Sequence, residues 1–179
     1  MLYATEFSEI SQSVNNNDNL KSRVLELIKD EPIPGKVTEG EVRLENLKDI
    51  LTRYFNGTIG IPQAITDVEC RLPRHGSPYK NNNRVFPQGW SERLVRTSIS
   101  RFYNQAVLTE IVESGGAECF IGHSSSESAG SNCSQLLAGS RQSASDMLDR
   151  LTNAYRDGNW SKEVKIPSHP HCTHTVQPV

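Results

Sequence analysis

The six residues His169-Pro170-His171-Cys172-Thr173-His174 hold three of the chain's five histidines and one of its four cysteines. Imidazole nitrogen and thiolate sulfur are the favoured protein ligands of zinc. In an extended segment alternate side chains share a face, so Cys172 and His174 point one way and His171 the other. His169 approaches them across the bend at Pro170. Cys133, from an earlier turn, completes a tetrahedral set of Cys133, His169, Cys172 and His174. Four protein ligands make a closed, structural site, and zinc is the one cofactor implied. The alternative is that His169 and His174 hydrogen-bond loop carbonyls while Cys172 is a small buried hydrophobe. Cys119 reads as a core strand residue, Cys70 falls in a loop, and no Cys-x-x-Cys pair is present.

Bringing Cys133 to residues 169–174 requires a scaffold, and the apolar spacing supplies one. Val95, Ile99, Phe102, Tyr103, Ala106 and Val107 form one stripe of a long helix. Ser91 is its expected N-cap, Trp90 and Val95 its hydrophobic staple, and Gly115-Gly116 its end. Residues 117–122 alternate as a strand, with Cys119 and Ile121 on one face and Phe120 on the other. Residues 124–130 are a Ser-rich loop, and residues 133–139 a turn or helical fragment. Ser143-Ala144-Ser145-Asp146 resembles a capping box opening a helix that Gly158 closes. Two short strands flanking the His/Cys cluster finish the chain.

Upstream, residues 1–17 read as a polar, loose arm. Leu20, Val24, Leu27 and Ile28 predict a helix stopped by Pro32 and Pro34, and Leu44, Leu47, Leu51 and Tyr54 predict another over 41–55. Residues 57–89, with four prolines and the run Lys80-Asn81-Asn82-Asn83-Arg84, predict a linker loop with a short strand near 58–61. The expected organisation is an N-terminal arm and helical region over 1–56, a linker over 57–89 and a C-terminal domain over 90–179. The fold class is α+β and mainly helical, a long central helix packed on a small antiparallel sheet.

The formal net charge is −2, from 19 basic and 21 acidic side chains. Near balance argues against a chain devoted to gripping nucleic acid. Arg71, Arg74, Lys80, Arg84, Arg93, Arg96 and Arg101 do make the middle basic, and weak DNA contact through it is a third possibility. No apolar run approaches the roughly 18 residues of a membrane span. Residues 1–6 lack the basic and apolar regions of a signal peptide, so a cytoplasmic origin is expected.

Several motifs recur in a recognisable order. Arg96-Thr97-Ser98 and then Tyr103-Asn104-Gln105-Ala106 lie on the long helix. The strand over 117–122 follows, then Cys133 with Leu136 and Gly139, then His169-Pro170-His171-Cys172-Thr173-His174. Over about residues 90–179 this order resembles the phage Mu F-like minor head, or head-morphogenesis, family of tailed bacteriophages. That family has Arg-Thr-Glu and an Asn on its helix, a Cys-x-x-Cys turn, and a terminal His-Pro-Asn-Cys-Arg. Here Ser98 replaces the Glu, Gly130 the first turn cysteine and Thr173 the Arg, and a helix over about 144–157 is inserted. The resemblance implies a minor capsid protein of the virion, assembled in the host cytoplasm by contact with portal or major capsid subunits. Neither a membrane nor a small-molecule substrate is expected.

Arg96 and Arg101 are expected to hold the terminal segment by fork-like hydrogen bonds, and Asn104 to cap a buried loop carbonyl; otherwise they are a solvated helix face. The N-terminal arm and the 57–89 loop are the expected partner contacts. The rival class is a metal-dependent, nuclease-like hydrolase using the His/Cys cluster, with His123, His171 or Glu127 as general base. A Cys133–His169 nucleophile pair is its variant.

Overall fold

The computed structural model describes residues 2–158, 160 and 162–179. The fold is α+β and mainly helical, as expected. A 3-10 turn over Phe7–Glu9 leads into α1 (Ile10–Asn15), α2 (Asp18–Asp30), α3 (Glu41–Phe55) and α4 (Ile61–Arg71). Asn17 caps α2, its side chain accepting from the Leu20 amide. The apolar faces of α2, α3 and α4 turn inward through Leu20, Val24, Ile28, Leu47, Leu51, Ala64 and Val68, all buried.

Two expectations for this half are corrected. The segment predicted as a linker loop holds α4, packed between α3 and the next long helix, and no strand forms at 58–61. Pro62 sits in the first turn of α4, where its missing N–H costs no bond. The N-terminal arm is not loose. Ala4, Phe7, Ile10 and Val14 are buried in the common core, their three- and four-residue spacing placing them on one side.

α5 (Trp90–Glu113) is the axis of the molecule, in contact with α2, α3, α4 and, after it, with the first and third strands and the last helix. Gly89, at φ 74°, is its N-cap, and Ser91 instead donates to Glu69 Oε1 at 2.6 Å. Between Ser98 and Leu108 every α5 residue is buried, including Ser98, Ser100, Arg101, Asn104 and Gln105. The single apolar stripe of the sequence therefore underdescribes this helix. Its polar face is covered as well, and each large polar group there needs a partner.

β1 (Glu118–Ile121), α6 (Asn132–Leu136), β2 (Ser140–Ser143), α7 (Ala144–Arg156) and β3 (Val176–Pro178) complete the chain. Among the described residues the strands form an antiparallel sheet in the order β2-β1-β3, with Ile121 opposite Ser140 and Val176. Cys119 and Ile121 face the core, as predicted. Ser143 caps α7 by accepting from the Asp146 amide. β2 is a polar strand between the expected turn and the expected cap, where no element was predicted, and residues 163–167 form no strand, so among the described residues β3 alone flanks the His/Cys cluster. No helix among the described residues is long and apolar enough to cross a membrane.

Candidate metal centre

Three segments meet beneath the sheet's end. α6 contributes Cys133, the 122–131 loop contributes Glu127, and the stretch entering β3 contributes Cys172 and His174. One donor atom from each of these four residues lies within 4.8 Å of the other three. The local sequence explains the convergence. Ser131 caps α6, accepting from the Ser134 amide and fixing Cys133 in its first turn. The Glu127 carboxylate accepts the Thr173 amide hydrogen at 2.8 Å, fastening the Ser-rich loop to the terminal stretch. Ser124 and Thr173 share a hydroxyl hydrogen bond of 2.8 Å beside it. Cys172 and His174 reach the group together and are buried, as is Thr173 between them, while His171 is exposed.

The group is shut off from water. The Glu127 side chain is 4 % exposed and His174 is 1 % exposed. The two sulfurs stand 3.8 Å apart. That is the edge of a tetrahedron whose metal–sulfur bonds are roughly 2.3 Å, the usual zinc–thiolate length. His174 Nδ1 is 3.7 Å from Glu127 Oε2, and among the described residues it has no hydrogen-bond partner. A buried imidazole nitrogen left without a partner, facing a carboxylate and two thiols, is what a metal ligand looks like before its ion is added.

Charge follows the same geometry. The hydrogen bond from Cys172, then the nearby polar side chains of His174, Ser131 and Ser168, hold the Cys133 thiol well below the usual thiol range against the opposing effect of burial. The Cys172 thiol is pushed up by its bond to Cys133 and by burial. The two adjacent thiols thus favour sharing one proton, and a divalent cation would ionise both. Cys119 lies outside the group, and burial pushes its thiol up to about 11, which suits a plain core residue.

The set expected from sequence was Cys133, His169, Cys172 and His174. Three of these join the group, and Glu127 stands where His169 was expected. His169 borders it, with Nε2 at 3.1 Å from Glu127 Oε1 and 3.6 Å from Cys133 Sγ. Both contacts fall on one ring nitrogen. A nucleophile relay uses the two nitrogens separately, one toward the thiol and one toward the carboxylate. Of the other proposed general bases, His123 and His171 are exposed. Glu127 entered the sequence reading only as a base. No periodic or spacing signal marks a lone carboxylate in a serine-rich loop as a ligand.

The α5 residues are placed as follows. Asn104 is fully buried, its Oδ1 accepting the Val176 amide hydrogen at 2.7 Å and its amide donating to Ser100 O at 2.7 Å. It therefore holds the terminal strand by an N–H, not by the carbonyl that was expected. Arg101 is 1 % exposed, and burial lowers its pKa to about 10. It donates to Pro32 O, lies 3.6 Å from Glu31 and stacks its guanidinium 4.4 Å from the Tyr155 ring centre. Its role is to tie α5 to the α2 end and α7, away from the terminal segment. Arg96 lies over the Phe7 ring at 4.3 Å, so it clasps the N-terminal segment.

Comparison with family models, with curated proteins and with solved structures gave no match to this chain.

Proposed function

We propose that this chain is a structural component of a bacteriophage head, a minor capsid or head-morphogenesis protein acting through contact with portal or major capsid subunits. We further propose that Glu127, Cys133, Cys172 and His174 hold zinc, which fastens the terminal strand to the core. The observation that carries the reading is the closure of the group. Four protein donors within 4.8 Å of one another would, around one ion, leave no position for the water or substrate that a catalytic metal must bind. The Glu127 carboxylate, the best-placed general base, is already engaged by the Thr173 amide and by His169. A site of this kind contributes folding free energy instead of turnover. The order of the motifs on α5, β1, α6 and the terminal stretch supports the head-protein reading independently.

The test is peptide mass spectrometry of gradient-purified virions from the source phage or induced prophage. The chain is expected at a fixed copy number per particle. Its presence in the lysate with absence from particles at every stage of assembly would overturn the reading.

A further inference from the structure

A groove of about 570 Å³ opens between the 33–38 turn, the start of α5 and the 165–170 stretch. Its floor is largely apolar, with Ile33, Val37 and the Tyr155 ring. Both tryptophans of the chain, Trp90 and Trp160, line it. Lys36, Arg84, Arg93 and Lys165 surround that floor, and among the described residues no aspartate or glutamate lines the groove.

These four cations differ from most arginines of the molecule. Arg23, Arg53, Arg71, Arg101, Arg141, Arg150 and Arg156 each have a carboxylate partner. Among the described residues Lys36, Arg84, Arg93 and Lys165 have none. Lys165 is half-buried, and loss of water alone pushes its pKa down. Trp160 is 58 % exposed beside it, its ring centre 5.7 Å from the Lys165 ammonium. Cations without carboxylate partners, one of them partly desolvated, around an aromatic floor with an exposed tryptophan are complementary to an anion that carries apolar surface.

We propose that this groove docks an acidic peptide segment of a partner protein. A large apolar side chain of the segment lies against Trp90 and Trp160, and flanking carboxylates meet Lys36, Arg84, Arg93 and Lys165. Tryptophan and arginine are the residues on which binding energy most often concentrates. A nucleic acid fits less well, because of the rest of the basic middle segment only Lys80 is left exposed without a partner among the described residues. Arg71 pairs with Asp49, Arg74 binds Lys80 O and Asn83, Arg96 covers Phe7 and Arg101 is buried. The remaining cations ring a cavity and do not continue as a track for successive phosphates. The inference stands on the groove alone and does not depend on the capsid reading.

The test uses tryptophan emission, since both reporters line the groove. The full chain is titrated with a short peptide in which glutamates flank a central Leu-Phe pair. Parallel titrations use the same peptide with lysines for the glutamates, one with serines for Leu-Phe, and an oligo-dT strand. The acidic apolar peptide is expected to give a saturable shift, and each other probe to bind at least roughly tenfold more weakly. The double variant Arg84→Glu/Arg93→Glu alters two exposed side chains and should keep the wild-type circular dichroism and Tm while losing roughly tenfold or more in affinity. No saturable shift with the acidic peptide would overturn the proposal. So would equal binding of the lysine peptide, indifference to the charge reversal, or oligo-dT binding more tightly than the peptide.

Discussion

Cys133 Sγ and Cys172 Sγ lie 3.8 Å apart, with the Cys172 thiol donating to its partner. Two buried thiols at this separation hold each other weakly, whereas a shared zinc ion would hold both strongly. The protein expressed with zinc is expected to carry the metal in equimolar amount by inductively coupled plasma mass spectrometry. Zinc at about 100 times its Kd stabilises by about 2.7 kcal/mol, which at this chain length raises Tm by roughly 5–10 °C. A Tm indifferent to chelator and to added zinc would remove the metal from the account.

His169 and His174 separate a bordering residue from a ligand. His174→Ala should abolish stoichiometric zinc. His169→Ala removes only a contact to Glu127 and Cys133, so the ion should be retained with affinity roughly 10–100-fold weaker. Competition titration with a chromophoric chelator reads both. Complete loss of zinc in His169→Ala would make His169 the ligand and Glu127 the bystander.

Glu31 gives the fold an acid limb. Hydrogen bonds from Arg156 foremost, then the charges of Arg156 and Arg101, lower its pKa from the ordinary 4.5 against the cost of burial. A carboxylate whose folded pKa is depressed contributes stability that is fully present above its unfolded value. That contribution is lost as pH falls through the folded one. Denaturation followed from pH 7 downward should therefore show stability falling below about pH 4.5, and Glu31→Gln should flatten that fall. Parallel curves for the two proteins would assign the acid limb to other carboxylates.

Asn104 is the pin of the terminal strand. Asn104→Ala strands the buried Val176 amide and should cost about 1–3 kcal/mol. Hydrogen exchange at Val176 should speed up by more than exchange in α3, which lies elsewhere in the fold. Uniform acceleration across the chain would mean that β3 does not open on its own.

How much of this was legible in the sequence depended on whether the signal was local. α3 emerged over its full span, because Leu47, Leu51 and Tyr54 repeat at helical spacing and Gly57 follows. The Ser143 cap and the core face of β1 were equally local. α4 was missed because Pro62 and the prolines beyond it read as breakers, although a first-turn proline breaks nothing. The buried arm was missed because polar residues outnumber Ala4, Phe7, Ile10 and Val14 within it. β2 has no apolar alternation at all, and only its pairing with β1 makes it a strand. In the candidate centre Cys133, Cys172 and His174 stood out as residue types. Glu127 is recruited by the path of a serine-rich loop, and Arg101 by helices that cover a face resembling an exposed one. Neither path is written in nearby residues.

Residues 4–7 are bound by residues 173–175. Phe7 N–H donates to Thr173 O at 2.8 Å, Glu6 bridges His174, and the Thr175 hydroxyl donates to Ala4 O across 171 positions of chain. During translation residues 4–7 thus leave the ribosome well before residues 173–175 and lack these partners until the stretch around Thr175 has also emerged. Until then the Phe7 amide lacks its bond to Thr173 O. A polypeptide halted before Thr173 would leave this seam unclosed, its backbone groups at residues 4–7 without these partners.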